Sequence, residues 1–133
     1  MTDIDAFLNC KVFAVAGASA NRDKYGNKVL RAYQQNGLTV YPVNPAASEV
    51  EGLPAFPDVS ALPSDVEAIS IVTPPAVTKQ VVAQGLMRNI KMFWMQPGAE
   101  NPEAIKMAQA AGATVIADGA CVLVALRYTE RES

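Results

Sequence analysis

The chain has 133 residues, half of them hydrophobic, with 11 Lys+Arg against 13 Asp+Glu. That length supports one domain with a genuine core, and the near-balanced charge argues against a disordered chain and against a nucleic-acid surface. Histidine is absent and the two cysteines, Cys10 and Cys121, lie far apart, which disfavours a zinc site and a Cys-x-x-Cys redox pair.

The first residues include Asp3 and Asp5, where a secretory signal needs positive charge, and no apolar run reaches the length of a bilayer span. A cytoplasmic protein with reduced thiols and no membrane partner is expected. Short apolar runs follow at 12–16, 38–43, 68–72, 91–95 and 113–117. They lack the polar alternation of half-exposed strands, as parallel strands buried on both faces do. Between the first two runs Val29, Leu30 and Tyr33 form a helical stripe, and Asn36-Gly37 supplies a left-handed stop. The stretch 45–65 is rich in Pro, Ala, Ser and acids; it reads as a long connection in place of a crossover helix, with one extended piece near 53–56. After the third run Val77, Val81, Val82 and Leu86 recur at helical spacing. Before the fifth, Asn101 and Pro102 provide an N-cap and first helical residue, Ile105 and Ala108 a buried face, and Gly112 a stop. Strands alternating with helices predict an α/β fold, a single Rossmann-like doubly wound domain over 1–133 with a mainly parallel five-stranded sheet and helices on both faces.

In such a sheet ligands bind beyond the C-terminal ends of the strands. The residues that follow the five runs are Gly17-Ala18-Ser19, Asn44-Pro45, Thr73-Pro74-Pro75, Gln96-Pro97-Gly98 and Asp118-Gly119-Ala120-Cys121. Each loop has the composition of an ordinary tight turn; their convergence on one edge predicts a pocket. In the first loop Gly17 permits a tight turn, and Ala18 and Ser19 are small enough for backbone N–H groups to approach a phosphate at a helix N-terminus. Arg22 and Lys24 read either as phosphate contacts or as solvated loop charges. Gly26 lets the chain pass close to a ligand or turn into the helix.

An NAD fingerprint would need glycines where Ser19 and Arg22 stand, and the second strand, "VYPVNP", ends without the acid that holds a ribose. No Walker A lysine-serine pair is present. Glu100 and Asp118 are the acids nearest the predicted edge, and both read first as helix-start or turn residues. Tyr25 and Tyr41 read as amphipathic wall residues. No catalytic residue and no metal ligand is assigned. The terminal run Val122 to Leu126 reads as a packed segment or a subunit contact.

"VAGAS" with Lys24 and Gly26, "VYPVNP", "GLPAFPDVSALP", "VTPP", "WMQPGA" and Cys121 together span nearly the whole chain. Through them the chain resembles the small stand-alone CoA-binding proteins, whose domain is similar to the N-terminal domain of the succinyl-CoA synthetase α subunit. The resemblance implies a coenzyme A or acyl-CoA ligand extended across the strand ends. Its phosphates would lie at Gly17, Ala18 and Ser19 with Arg22, Lys24 and Gly26 nearby, and Val43, Asn44 and Pro45 would flank the adenosine. Val72, Thr73, Pro74 and Pro75 would line the middle, and Gln96, Pro97 and Gly98 the pantetheine end. The arginine that often precedes the family's cysteine is missing from "DGACVLVALR", which leaves its role unassigned here. Succinyl-CoA synthetase works through a phosphorylated histidine on another domain, and this chain has none. A non-catalytic carrier, sensor or accessory module is expected, with a partner enzyme or a second copy as further partner; an NAD(P)-binding oxidoreductase-like domain is the alternative. An exposed Cys121 thiolate could form a mixed disulfide with the CoA thiol.

Overall fold

The computed structural model describes residues 2–130. Its main sheet has five parallel strands, β1 (Val12–Ala16), β2 (Thr39–Val43), β5 (Ala68–Ile71), β6 (Met92–Met95) and β7 (Thr114–Ile116), in the order β2-β1-β5-β6-β7. Four of the five apolar runs are thus trimmed by a residue or two, and the first is matched over its whole length. The reversal of strand order falls between β1 and β5, joined in register from Phe13↔Ala68 to Ala16↔Ile71.

Successive side chains of a strand point to opposite faces, and here both faces are covered. Phe13 and Val15 of β1 face one apolar cluster, with Val29, Leu30 and Tyr33 of α2 (Tyr25–Gln35), Phe7 of α1 (Asp3–Leu8) and Val122 of α5 (Val122–Ala125). Ala14 and Ala16 face the other, with Val81 and Val82 of α3 (Pro75–Met87) and Ala104 and Ala108 of α4 (Pro102–Ala110). Double coverage leaves no room for polar alternation, which is why the strands read as continuous apolar runs.

Helix α1 is six residues, closed by a capping box in which the Asp5 N–H donates to Thr2 Oγ1 at 3.1 Å and the Thr2 N–H to Asp5 Oδ2 at 3.3 Å. Its Phe7 meets Trp94 edge to face at 5.3 Å between ring centroids. The long connection contains a hairpin, β3 (Glu49–Val50) and β4 (Leu53–Pro54), and a 3₁₀ turn at Val59–Ala61. The extended piece is therefore one arm of a hairpin. Phe56 continues it against the main sheet, with its N–H on the Pro42 carbonyl at 3.0 Å and its carbonyl taking the Asn44 N–H at 2.9 Å. Among the described residues no helix is long and apolar enough to cross a membrane.

Candidate functional site

The C-terminal ends of β1, β2, β5 and β6 open onto one edge, and the β1–α2 turn sits at the point where strand order reverses. Gly17 ends β1 at φ +91°, and a Cβ there would come within 2.4 Å of the Val72 carbonyl oxygen. Gly26 is closer still: its Cβ would lie 1.9 Å from the Gly17 carbonyl oxygen. That close approach of helix to strand is the job of the third glycine in a dinucleotide fingerprint. Here a longer loop moves it from position 22 to position 26, where Gly26 serves close packing of helix on strand.

Two asparagines orient the turn. Asn44 Nδ2 donates to the Ala18 carbonyl at 2.9 Å, and Asn27 Nδ2 donates to the Ser19 carbonyl at 2.8 Å. In a trans peptide the C=O and the following N–H point in opposite directions. Pinning those two carbonyls therefore turns the N–H groups of Ser19 and Ala20 the other way, and neither finds an acceptor among the described residues. Two successive free N–H groups at the start of a helix form a concavity suited to an anion. The Ser19 hydroxyl accepts the Asn21 N–H at 3.1 Å, which leaves its own proton to donate. Asn44 is engaged at both ends of its amide, because its Oδ1 takes the N–H groups of Ala46 at 2.7 Å and Ala47 at 2.9 Å.

Of the two cations in the loop, Arg22 pairs with Glu51, Nε to Oε2 at 3.4 Å. Lys24 is the exposed N-cap residue of α2, with no ion pair among the described residues.

Two cavities flank the turn. One, of about 240 Å³, is lined by Gly17, Val43, Pro45 and Thr73, and also by Pro57, Asp58 and Val59 of the long connection and Val77, Gln80 and Gln84 of α3. The connection and α3 residues were not selected from sequence. Val77, which recurs at helical spacing with Val81 and Val82, is 42% exposed at this cavity. The other cavity, about 350 Å³, is lined by Tyr25, Val72, Gln96, Pro97 and Cys121. Ala18, Ser19, Arg22, Lys24, Gly26, Asn44, Pro74, Pro75 and Gly98 line neither, although they stand in the same loops. Pro74 caps and Pro75 begins α3.

At the second cavity the Gln96 amide and the neighbouring backbone donors are engaged within the protein. Gln96 is buried; its Nε2 donates to Cys121 Sγ at 3.2 Å and its Oε1 accepts the Val122 N–H at 2.8 Å. The Gly98 N–H donates to Glu100 Oε1 at 2.7 Å, and the Ala120 N–H to Asp118 Oδ1 at 3.2 Å, so both acids serve as turn acceptors. Tyr41 packs edge to face on Phe56 and does not line the cavities. Both cysteines are free, and Cys10 lies before β1, at the sheet edge opposite Cys121. Burial and the nearby Glu67 carboxylate push the Cys10 thiol up.

A larger hollow of about 570 Å³ runs beside the edge strand β7. It holds none of the residues assigned to the ligand from sequence, and its Asp3 and Asp118 carboxylates give it the wrong charge for a phosphate ligand. Among the described residues no group of three or more His, Cys, Asp or Glu is placed to hold a metal ion.

Comparison with known proteins gives a consistent picture. A family model described as a CoA binding domain matches residues 11–127. The chain is similar to the uncharacterized protein YneT of Bacillus subtilis, 30% identical over 90% of this chain and 88% of that one. A conserved hypothetical protein from Pyrococcus furiosus superimposes with a TM-score of 0.82 at 39% identity, covering 86% of this chain and 98% of that one. The α subunit of the ADP-forming acetate–CoA ligase II of Pyrococcus furiosus is 36% identical over 66% of this chain, a match that spans only 20% of the subunit.

Proposed function

This chain belongs to the CoA binding domain family, and from that premise we propose that coenzyme A or an acyl-CoA lies extended across the C-terminal edge of the sheet. The observation that carries the reading is the pair of free, adjacent N–H groups of Ser19 and Ala20 between two cavities. The pyrophosphate rests on those donors beside Gly17 and Ala18, with Lys24 supplying positive charge, Arg22 standing nearby in its pair with Glu51, and the N-terminus of α2 supplying its dipole. Adenosine takes the cavity bounded by Val43, Pro45 and Thr73. The chain of the ligand then passes Val72, Pro74 and Pro75, and pantetheine takes the cavity of Tyr25, Val72, Gln96, Pro97 and Cys121, shaped by the turn at Gly98. A charged head meets donors, and a long, weakly polar arm meets apolar and proline walls.

The NAD(P) alternative finds no support at the end of β2. Asn44 stands where a ribose-binding acid would, and its side chain is committed to Ala18, Ala46 and Ala47.

In this reading the chain is one binding domain over 1–133. It carries, senses or sequesters the cofactor in the cytoplasm without itself catalysing a reaction. The similarity to one-fifth of a ligase subunit supports a partner enzyme, or a second copy, as the source of any chemistry. Calorimetric titration with CoA, acetyl-CoA, NAD and NADPH, repeated for Lys24→Ala with CoA, tests it. Saturable CoA binding weakened by the substitution is expected; NAD or NADPH binding in the absence of CoA binding would overturn the assignment.

A further inference from the structure

The β3–β4 hairpin closes with two residues of positive φ, Glu51 at +49° and Gly52 at +79°. Two-residue turns of this hand favour Asn, Asp or Gly at the first central position, because a larger side chain crowds the left-handed backbone. Glutamate suits this turn poorly, and its side chain is engaged elsewhere. The side chain is only 17% exposed; its carboxylate pairs with Arg22 Nε and accepts from Asn27 Nδ2 at 3.0 Å. Gln34 Nε2, donating to the Glu51 carbonyl at 3.2 Å, holds the hairpin on α2.

Both partners of the carboxylate belong to the anion turn or grip it. Asn27, fully buried, shares its Nδ2 between Glu51 and the Ser19 carbonyl, while its Oδ1 accepts from Arg31 Nε at 2.6 Å. Arg31 donates in turn to the Arg22 carbonyl at 2.8 Å. Together with Arg31 on Oδ1, the carboxylate therefore holds the Asn27 amide in this orientation, and that amide holds the peptide between Ser19 and Ala20.

We infer that Glu51 is a positioning residue for the anion turn. It holds Asn27 in the orientation that keeps the Ala20 N–H outward, and it keeps Arg22 beside the turn before any ligand arrives. Ordering the turn in the free protein removes that cost from binding. The repulsion a lone carboxylate would exert on a phosphate is offset by its pairing with Arg22. The inference rests on the CoA reading only for the identity of the anion.

Two variants separate the roles. Glu51→Gly suits the turn and removes the side chain, whereas Glu51→Gln keeps an acceptor for Asn27. The amides of Asn21, Asp23 and Lys24 are hydrogen-bonded within the turn and report its order. In ligand-free Glu51→Gly they are expected to exchange about tenfold faster. CoA affinity is expected to fall about tenfold, as for a turn competent about one-tenth of the time, and Glu51→Gln to recover most of it. Unchanged exchange in Glu51→Gly would overturn the inference, as would tighter CoA binding by both variants, which would mean that the carboxylate acts only by repulsion. Faster exchange in Glu51→Gly, in a protein whose wild type binds neither CoA nor inorganic pyrophosphate, would uphold the positioning role and sink the CoA assignment.

Discussion

The two ends of the groove are built on different principles. At the β1–α2 turn, side chains from α2 and the end of β2 converge on backbone carbonyls, with the Glu51 carboxylate of the β3–β4 hairpin accepting from one of them, and the N–H groups of Ser19 and Ala20 are turned the other way. At the β6 end the backbone donors and the Gln96 amide are satisfied within the protein, and the cavity presents Tyr25, Val72, Pro97 and a thiol. The difference teaches that recognising a charged group takes a buried polar scaffold behind the contact, since an unordered donor gains little over water. Holding a flexible, weakly polar arm takes only walls.

The contrast is broken most forcefully through its glycines. Gly26→Ala drives a Cβ to within 1.9 Å of the Gly17 carbonyl oxygen, where backbone must move. It is expected to cost about 3 kcal/mol or more, or to prevent folding. At the other end Gly98→Ala meets nothing within 4 Å and suffers only from its φ of +97°, a cost of about 1–2 kcal/mol. Denaturant unfolding of the pair measures the difference, and equal losses would mean that the two ends are equally rigid.

Asn44→Ala comes next. It frees the Ala18 carbonyl and leaves the Ala46 and Ala47 N–H groups without their acceptor. A stability loss of about 2 kcal/mol is expected, together with CoA binding weakened about tenfold, because the Ser19 N–H is no longer held outward. Calorimetry that found stability reduced but affinity intact would deny Asn44 a part in anion recognition.

The core on the α2 side of the sheet also has a pH signature. Tyr33 of α2 is buried there and shares a hydrogen bond of 2.5 Å with Ser70 of β5. Burial pushes its phenol up, well above the ordinary tyrosine range. A raised folded-state value favours the neutral form, so this stabilisation is fully present below about pH 10, the value in an unfolded chain, and is lost as pH rises further. Tyr33→Phe should cost about 1 kcal/mol at neutral pH by stranding the Ser70 hydroxyl, and should blunt the alkaline loss. Unfolding curves between neutral pH and pH 11 check both.

How much of this was legible in sequence follows from the same physics. The five strands stood out because burial on both faces leaves uninterrupted apolar runs, and their C-terminal ends located the groove edge. Helix α1 escaped because six residues carry no periodicity, although Thr2 and Asp5 had capping-box spacing. The hairpin was half seen, as an extended piece near 53–56, because Glu51 is an unfavourable residue for its turn and its reason for standing there lies 24 positions away, at Asn27. Val77 kept helical phase with buried neighbours, yet nothing in periodicity tells that its part of the face lines a cavity. The roles of Asn27 and Asn44 depend on carbonyls that only the folded backbone brings within reach.

The smallest effect tests the open end. Tyr25 is 65% exposed, so Tyr25→Ala should leave stability within about 0.5 kcal/mol. Removing one wall of the cavity should weaken CoA binding about threefold while leaving 3′-phosphoadenosine 5′-diphosphate, which lacks the pantetheine arm, nearly unaffected. The chain carries its own reporter for the distinction. Trp94, the sole tryptophan, donates from Nε1 to the Ala120 carbonyl at 2.9 Å, one residue from Cys121 in the cavity wall. CoA should therefore change Trp94 emission where the shorter nucleotide does not, and Tyr25→Ala should diminish that change. An equal response to both ligands would move the pantetheine arm away from β6, and the division between a charged end and a walled end would have to be redrawn around the turn alone.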